Sequence, residues 1–107
     1  MTELVHAAPA CALAVYAHPD DPEVSCGGTL ARWARAGAQI HLVICCTGDK
    51  GSLDPSVDPA GLARRRAAEV ADAAAVLGLV EHHQLGYRDG ELEDGPALRG
   101  RLVELIR

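Results

Sequence analysis

The chain has 107 residues, of which 49% are hydrophobic and 23% are charged, and its formal net charge is −5. This size is typical of one domain, and this composition excludes a mainly disordered chain. No apolar run approaches the ~20 residues that a bilayer helix needs, and the acidic start lacks a signal-peptide pattern, which favours a cytoplasmic protein. A single lysine and the negative net charge argue against nucleic-acid binding.

The first predicted elements are a strand and a helix joined by an acidic, proline-containing segment. Residues 11–17 form an apolar run that predicts a strand covered on both faces. The prolines of residues 18–23 are expected to interrupt regular structure. A helical pattern then ends near Gly37, with Ser25 or Thr29 as its N-cap.

The rest of the chain repeats this alternation. Residues 39–46 predict a second buried strand, and a helix follows from Pro59, with Asp58 as its N-cap, to Gly78. A short third strand is predicted at residues 81–85. The last helix has an apolar stripe that consists of Leu98, Leu102, Leu105 and Ile106.

The β-α-β-α-β-α order predicts an α/β fold with a parallel sheet. Ligands of such sheets bind at the carboxyl ends of the strands, where we expect the loops 18–28, 47–57 and 86–94. Three strands are few for a sheet that is buried on both faces. We therefore interpret residues 1–10 as a lead-in and residues 11–107 as the first half of a larger domain, or as a protein that a partner completes.

Cysteine spacing and one basic cluster are interpreted as structural features. We expect the four cysteines to be buried free thiols, because they show no C-x-x-C spacing and adjacent cysteines rarely bridge each other. They are Cys11, Cys26, Cys45 and Cys46. The arginines of residues 64–66 are expected on the solvated face of their helix.

The segment His18-Pro19-Asp20-Asp21 places an imidazole and two carboxylates directly after a predicted strand. In a tight turn, the side chains of residues 18 and 21 can face the same side while Asp20 points elsewhere. An imidazole nitrogen and a carboxylate oxygen are suitable ligands for Zn²⁺. Asp20 would then accept a proton from a water molecule that the metal activates. The alternative is a turn whose aspartates cap the following helix.

Several motifs in the sequence, taken in chain order, resemble a known family. Residues 17–23 (AHPDDPE), followed by residues 26–30 (CGGTL), resemble the first motif of the PIG-L/LmbE-like zinc-dependent N-deacetylases. Residues 47–51 (TGDKG), 66–69 (RAAE) and 85–90 (LGYRDG) resemble later motifs of the same family. The resemblance extends from about residue 11 to the end of the chain.

The resemblance implies a Rossmann-like three-layer sandwich, of which this chain forms the first βαβαβα portion. It also implies a zinc-dependent hydrolase that removes an N-acetyl group from an N-acetylated amino sugar or its conjugate. By position, His18 and Asp21 would bind zinc, Asp20 would be the general base, and Arg66 and Asp89 would contact the sugar.

A purely structural role is the alternative for Arg66 and for Glu23, the last residue of the AHPDDPE motif. Arg66 would then pair with Glu69 or Asp89, and Glu23 would be a first-turn acid near a helix N-terminus. The family's third zinc ligand is a histidine of an H-x-x-H type motif, which the 107 residues lack. The remaining histidines do not match its position; they are His6, His41, His82 and His83.

Two other functions are weighed against the enzyme. One is a catalytically incomplete fragment, or an interaction module that retains the first half of the fold. The other is a nucleotide-binding half, which is disfavoured because the first loop lacks G-x-G-x-x-G and its acids would repel a pyrophosphate. We expect a small-molecule substrate, and either a homo-oligomer or a missing C-terminal half.

Overall fold

The computed structural model describes residues 7–107, which form three strands and three helices in the predicted alternation. Residues 7–10 of the predicted lead-in form neither helix nor strand, and residues 1–6 lie outside the described range. The elements are β1 (Cys11–Tyr16), α1 (Asp21–Arg35), β2 (Gln39–Cys46), α2 (Pro59–Leu77), β3 (Glu81–Tyr87) and α3 (Pro96–Ile106). The bounds of β2 are those predicted, and β3 extends two residues further.

The three strands form a parallel sheet in the order β1-β2-β3, as predicted for the first portion of a Rossmann-like fold. Because β2 is central, it is hydrogen-bonded on both sides and contains most of the core. The face of β2 that presents Ile40, Leu42 and Ile44 packs against α1 and α2. The face that presents Val43 and Cys45 packs against α3. The result is three layers, with the sheet in the middle.

The edge strand β1 differs from the prediction that it is covered on both faces. None of its residues is buried, and the side chain of Val15 is exposed. Ala12 and Ala14 pack toward α1, whereas Leu13 packs toward the α3 side. The continuous apolar run therefore marks a strand with contacts on both faces that lies at the edge of the described sheet and stays half-exposed.

The start of α1 is also a correction. The helix begins directly after Asp20, which is its N-cap residue, and Ser25 and Thr29 lie inside it. Pro22 occupies the first turn, where a backbone N–H would have no helical acceptor. The expectation that this proline interrupts regular structure is therefore wrong. A kink at Cys26 (φ −146°, ψ 17°) separates this first turn from the rest.

The second helix follows its predicted signals closely. The Asp58 side chain accepts a hydrogen bond from the Gly61 N–H at 3.2 Å, and Gly78 ends the helix in the left-handed region at φ 80°. Both signals are local to the helix ends, which explains why the sequence predicts these bounds well.

All four cysteines are free, as predicted, but they are not all buried. Cys45 and Cys46 are buried on β2, Cys26 is half-buried, and Cys11 is exposed at the start of the edge strand. Burial raises the pKa of the Cys45 and Cys46 thiols. These two side chains therefore act as small core residues.

The apolar stripe of α3 covers the sheet incompletely. Leu98, Leu102 and Leu105 pack against the cluster around Val43, yet no residue of α3 is fully buried. Ile106, which was predicted to belong to this stripe, is 69% exposed. Apolar surface therefore remains accessible on this layer. No helix among residues 7–107 has the length and apolar character that crossing a membrane requires.

Candidate functional site

The candidate site lies where the three strands end at their carboxyl edge, as the parallel topology predicts. His18 follows β1, and its two ring nitrogens face carboxylates from two different segments. Nδ1 lies 3.7 Å from Asp21 Oδ2, and Nε2 lies 3.8 Å from Asp89 Oδ1. The backbone N–H of His18 also donates to Asp21 Oδ2 at 3.2 Å. An imidazole is thus held between one carboxylate from α1 and another from the loop after β3.

Asp20 lies in the same turn, and its carboxylate pairs with Arg66, whereas that of Asp21 contacts His18. The backbone of Asp20 has φ 65°, in the left-handed region that aspartate tolerates better than most residues. Its Oδ2 atom accepts a hydrogen bond from Arg66 Nη2 at 3.2 Å, and the same nitrogen donates to the carbonyl of Pro19 at 3.1 Å. Arg66 therefore fixes the turn that presents His18, Asp20 and Asp21.

The path of Arg66 explains the glycines of the loop after β2. A Cβ atom at Gly48 would lie 2.7 Å from Arg66 Nε, and one at Gly51 would lie 2.6 Å from Arg66 Nη1. Both distances are too short for any side chain, so the loop forms a groove through which Arg66 reaches the first loop. Buried Arg66 Nε has no hydrogen-bond partner among residues 7–107.

The three arginines of residues 64–66 therefore differ in their exposure. Arg64 and Arg65 are exposed, as the solvated-face prediction requires, whereas Arg66 turns inward. Its partner is Asp20, not Glu69 or Asp89, the two partners of the structural alternative. The Asp20–Arg66 ion pair links residues from α2 and the first loop at the candidate site.

Two aspartates join the loops after β2 and β3. Asp49 Oδ1 accepts hydrogen bonds from the Asp89 backbone N–H at 2.8 Å and from Thr47 Oγ1 at 3.1 Å. Asp89 in return accepts from the backbone N–H groups of Gly48 at 2.9 Å and Lys50 at 3.0 Å. The hydrogen bond from the Asp89 N–H is the main cause that lowers the pKa of Asp49.

Asp49 is a site residue to which the sequence analysis assigned no role. The available signal was an acidic residue in a glycine-bounded loop at the same sheet edge as Asp89. The sequence predicted that Asp89 contacts the sugar. Its side chain is only 13% exposed and is occupied by backbone donors and by His18, so its main observed contacts are within the protein.

The donor atoms at this edge fit a zinc ion in their chemistry. His18 and Asp21 remain open to solvent, with side chains 47% and 46% exposed, and they supply the nitrogen and oxygen ligands that Zn²⁺ accepts. Cys46 also offers a sulfur atom within 4.8 Å of donor atoms of His18 and Asp89. Burial and the charges of nearby Asp89 and Asp49 raise the pKa of this thiol, which disfavours the thiolate that would bind a metal.

Glu23 lies in the first turn of α1, as the structural alternative predicted. Partial burial is the main cause that raises its pKa, and the negative charge of Asp20 adds to the effect. A first-turn acid interacts favourably with the N-terminal end of the helix dipole, so a structural role accounts for its position.

The sequence profile of the PIG-L family, described as GlcNAc-PI de-N-acetylase, matches residues 13–107. The chain is also similar to the 1D-myo-inositol 2-acetamido-2-deoxy-alpha-D-glucopyranoside deacetylase of Kineococcus radiotolerans. The two are 39% identical over 105 residues, which cover 86% of this chain and 29% of that relative. The chain thus spans about three tenths of the length of this curated relative.

Two solved structures share the fold. N,N'-diacetylchitobiose deacetylase from Pyrococcus horikoshii matches with a TM-score of 0.88 and 31% identity, over 92% of this chain and 37% of that chain. The 4-carboxy-2-hydroxymuconate hydratase of Pseudomonas putida matches with a TM-score of 0.80 and 25% identity, over 89% of this chain and 41% of that chain. The same fold therefore occurs in proteins with different reactions.

Proposed function

The chain belongs to the PIG-L family, and on this premise we propose that residues 11–107 form the N-terminal half of a zinc-dependent N-deacetylase domain. The complete protein would hydrolyse the amide bond of an N-acetylated amino sugar or its conjugate, of the N-acetylglucosamine type. Acetate and a free amine would be the products. The names of the Kineococcus and Pyrococcus relatives, both deacetylases of acetylated sugar derivatives, support this substrate class.

The observation that carries the proposal is the arrangement of the first loop. His18 and Asp21 lie close together and are both open to solvent. Arg66 Nη2 lies 3.2 Å from Asp20 Oδ2 and so holds the carboxylate of Asp20 in the same turn. Arg66 is largely withdrawn from solvent, with its side chain 19% exposed, and Asp20 has a left-handed backbone with φ 65°. The strain and the charge pairing at this turn are typical of functional sites.

His18 and Asp21 are the residues of this chain that would hold the zinc ion. When bound, Zn²⁺ polarises a carbonyl oxygen and makes water more acidic, which is the chemistry that amide hydrolysis requires. The H-x-x-H type motif that the resemblance implies for the third ligand is not among the 107 residues. His41 and His83 do not substitute for it, because they lie on the strands away from the carboxyl edge.

Asp20 is the proposed general base. Its exposed carboxylate receives the proton from the attacking water, and Arg66 keeps it oriented toward the site. Asp89 is proposed to position the imidazole of His18 from the side opposite Asp21, as carboxylates do for many metal-binding histidines. We also propose that Arg66 and Asp89 contact the sugar, through side-chain atoms that remain available beside their contacts within the protein.

The proposal is tested in a version extended to the length of the curated relatives, with acetate release and bound zinc as separate measurements. Asp20→Asn should retain zinc and lose ~10²–10⁴-fold in rate, the usual effect of removing a general base. Asp21→Asn should lose the metal itself. Asp72→Asn, an exposed aspartate on α2, is the matched control and should change neither. The opposite pattern for residues 20 and 21 would reverse their assigned roles.

A catalytically incomplete fragment or an interaction module is the second candidate, and the incomplete cover of the sheet by α3 favours it. Under either proposal the 107-residue chain alone is expected to release no acetate, even with added zinc, and release by the extended version supports the deacetylase. Inactivity of both versions toward N-acetylated sugars would instead refute the deacetylase. We further propose that the protein acts in the cytoplasm on a small molecule and does not bind nucleic acid, in line with its net charge of −5.

A further inference from the structure

A second group of metal-ligating side chains lies on the sheet away from the candidate active site. It consists of His41 on β2 and of Glu81 and His83 on β3. His41 and Glu81 are partners in the parallel register, and Glu81 and His83 are two residues apart. Since alternate residues of a strand share a face, all three side chains project from the face that α3 covers.

The separations within this group are close to those of a bound ion. His41 Nδ1 lies 3.6 Å from Glu81 Oε2, and His83 Nε2 lies 3.7 Å from the same oxygen. One donor atom from each residue lies within 4.8 Å of the other two. Metal–ligand bonds of roughly 2.0–2.2 Å in a tetrahedron place neighbouring ligand atoms about 3.3 Å apart. Small rotations of these side chains would therefore suffice to bring them onto one ion.

We propose that His41, Glu81 and His83 form a second binding site for a divalent transition-metal ion, with Zn²⁺ as the representative. Two imidazoles and one carboxylate form a ligand set that suits zinc and leaves a position for water. The two histidine side chains are 28% exposed and that of Glu81 is 58% exposed, so an ion can enter from solvent. This site lies near the beginning of β2, whereas His18 lies beyond the end of β1.

Hydrogen-bonded strands hold the three Cα atoms in place, because β2 and β3 are paired directly through this region. The ligands are thus brought together by the fold, and the unfolded chain does not provide the site. An ion bound here would connect two strands and stabilise the folded chain, since it binds that state selectively.

The test is calorimetric titration of the purified chain with Zn²⁺ at neutral pH, on the wild type and three variants. His83→Gln should weaken binding at this site about 100-fold. His82→Gln is the matched control, because His82 is the partner of Leu42 and projects from the opposite face. His18→Asn removes the proposed active-site ligand and should leave this second binding event unchanged. The imidazole nitrogen resonances of His41 and His83 should shift when Zn²⁺ is added.

Two further measurements distinguish loss of zinc binding from loss of folding. Glu81→Gln removes the shared carboxylate at an exposed position and should weaken Zn²⁺ binding while circular dichroism stays unchanged. Zn²⁺ should raise the melting temperature of His83→Gln by less than it raises that of the wild type and of His82→Gln. Equal affinities in wild type, His83→Gln and Glu81→Gln, or loss of all binding in His18→Asn, would overturn the second site.

Discussion

Replacing Gly48 by alanine tests whether the groove for Arg66 is a structural requirement. The left-handed φ of +77° costs an alanine about 1–2 kcal/mol. The new Cβ would also lie 2.7 Å from Arg66 Nε and 2.9 Å from its Cδ, and overpacking of this kind costs about 1–3 kcal/mol. Gly48→Ala should therefore lower the free energy of unfolding by about 2–5 kcal/mol, the sum of these two costs.

Gly86→Ala is the matched control, because Gly86 has φ +82° and nothing within 4 Å of the added Cβ. It should cost the backbone penalty alone, about 1–2 kcal/mol. Urea unfolding followed by the fluorescence of Trp33, the single tryptophan, measures both variants. In an Arg66→Ala background the extra cost of Gly48→Ala should disappear. The groove would not be a structural requirement if Gly48→Ala and Gly86→Ala lowered the free energy of unfolding equally. The same would follow if the difference between them persisted in the Arg66→Ala background.

Three other predictions concern stability, thiols and association. Asp49→Asn should destabilise the chain by about 1–3 kcal/mol at neutral pH. Because folding lowers the pKa of Asp49, its stabilisation is present above the ordinary value of 3.8 and is lost as the pH falls through the lower folded value, so unfolding curves of wild type and variant should converge only in acid. Ellman's reagent should modify exposed Cys11 first and reach Cys45 and Cys46 only on unfolding, since burial raises the pKa of both buried thiols. The chain alone should self-associate or be marginally stable; a compact monomer in concentrated solution by sedimentation, with a cooperative melt above ~65 °C, would contradict this.

Element order and several bounds follow from sequence because their signals are local. The largely apolar segment of residues 39–46 predicts β2, and Asp58, Pro59 and Gly78 delimit α2 through contacts with their near neighbours. The start of α1 was wrong because the prolines were interpreted only as helix breakers, although Pro22 occupies a first-turn position that tolerates proline.

The contacts of the candidate site could be predicted only in part. The side shared by His18 and Asp21 follows from the geometry of one short turn. The Arg66–Asp20 pair joins residues 46 positions apart, and the bond from the Asp89 N–H to Asp49 spans 40 positions. Such pairs depend on how the parallel strands bring their loops together, which no local pattern in one sequence specifies.

The reciprocal hydrogen bonds of Asp49 and Asp89 connect the loops after β2 and β3, so we expect the two loops to open together. Opening either loop breaks the hydrogen bonds of both, so the amides of Gly48, Lys50 and Asp89 should exchange with solvent in one cooperative event. Both side-chain hydrogen bonds of Arg66 go to the turn after β1, and the same side chain packs against Gly48 and Gly51 of the loop after β2. The turn that contains His18 and Asp20 is therefore connected to the two loops through the packing of Arg66 and through the approach of His18 to Asp89.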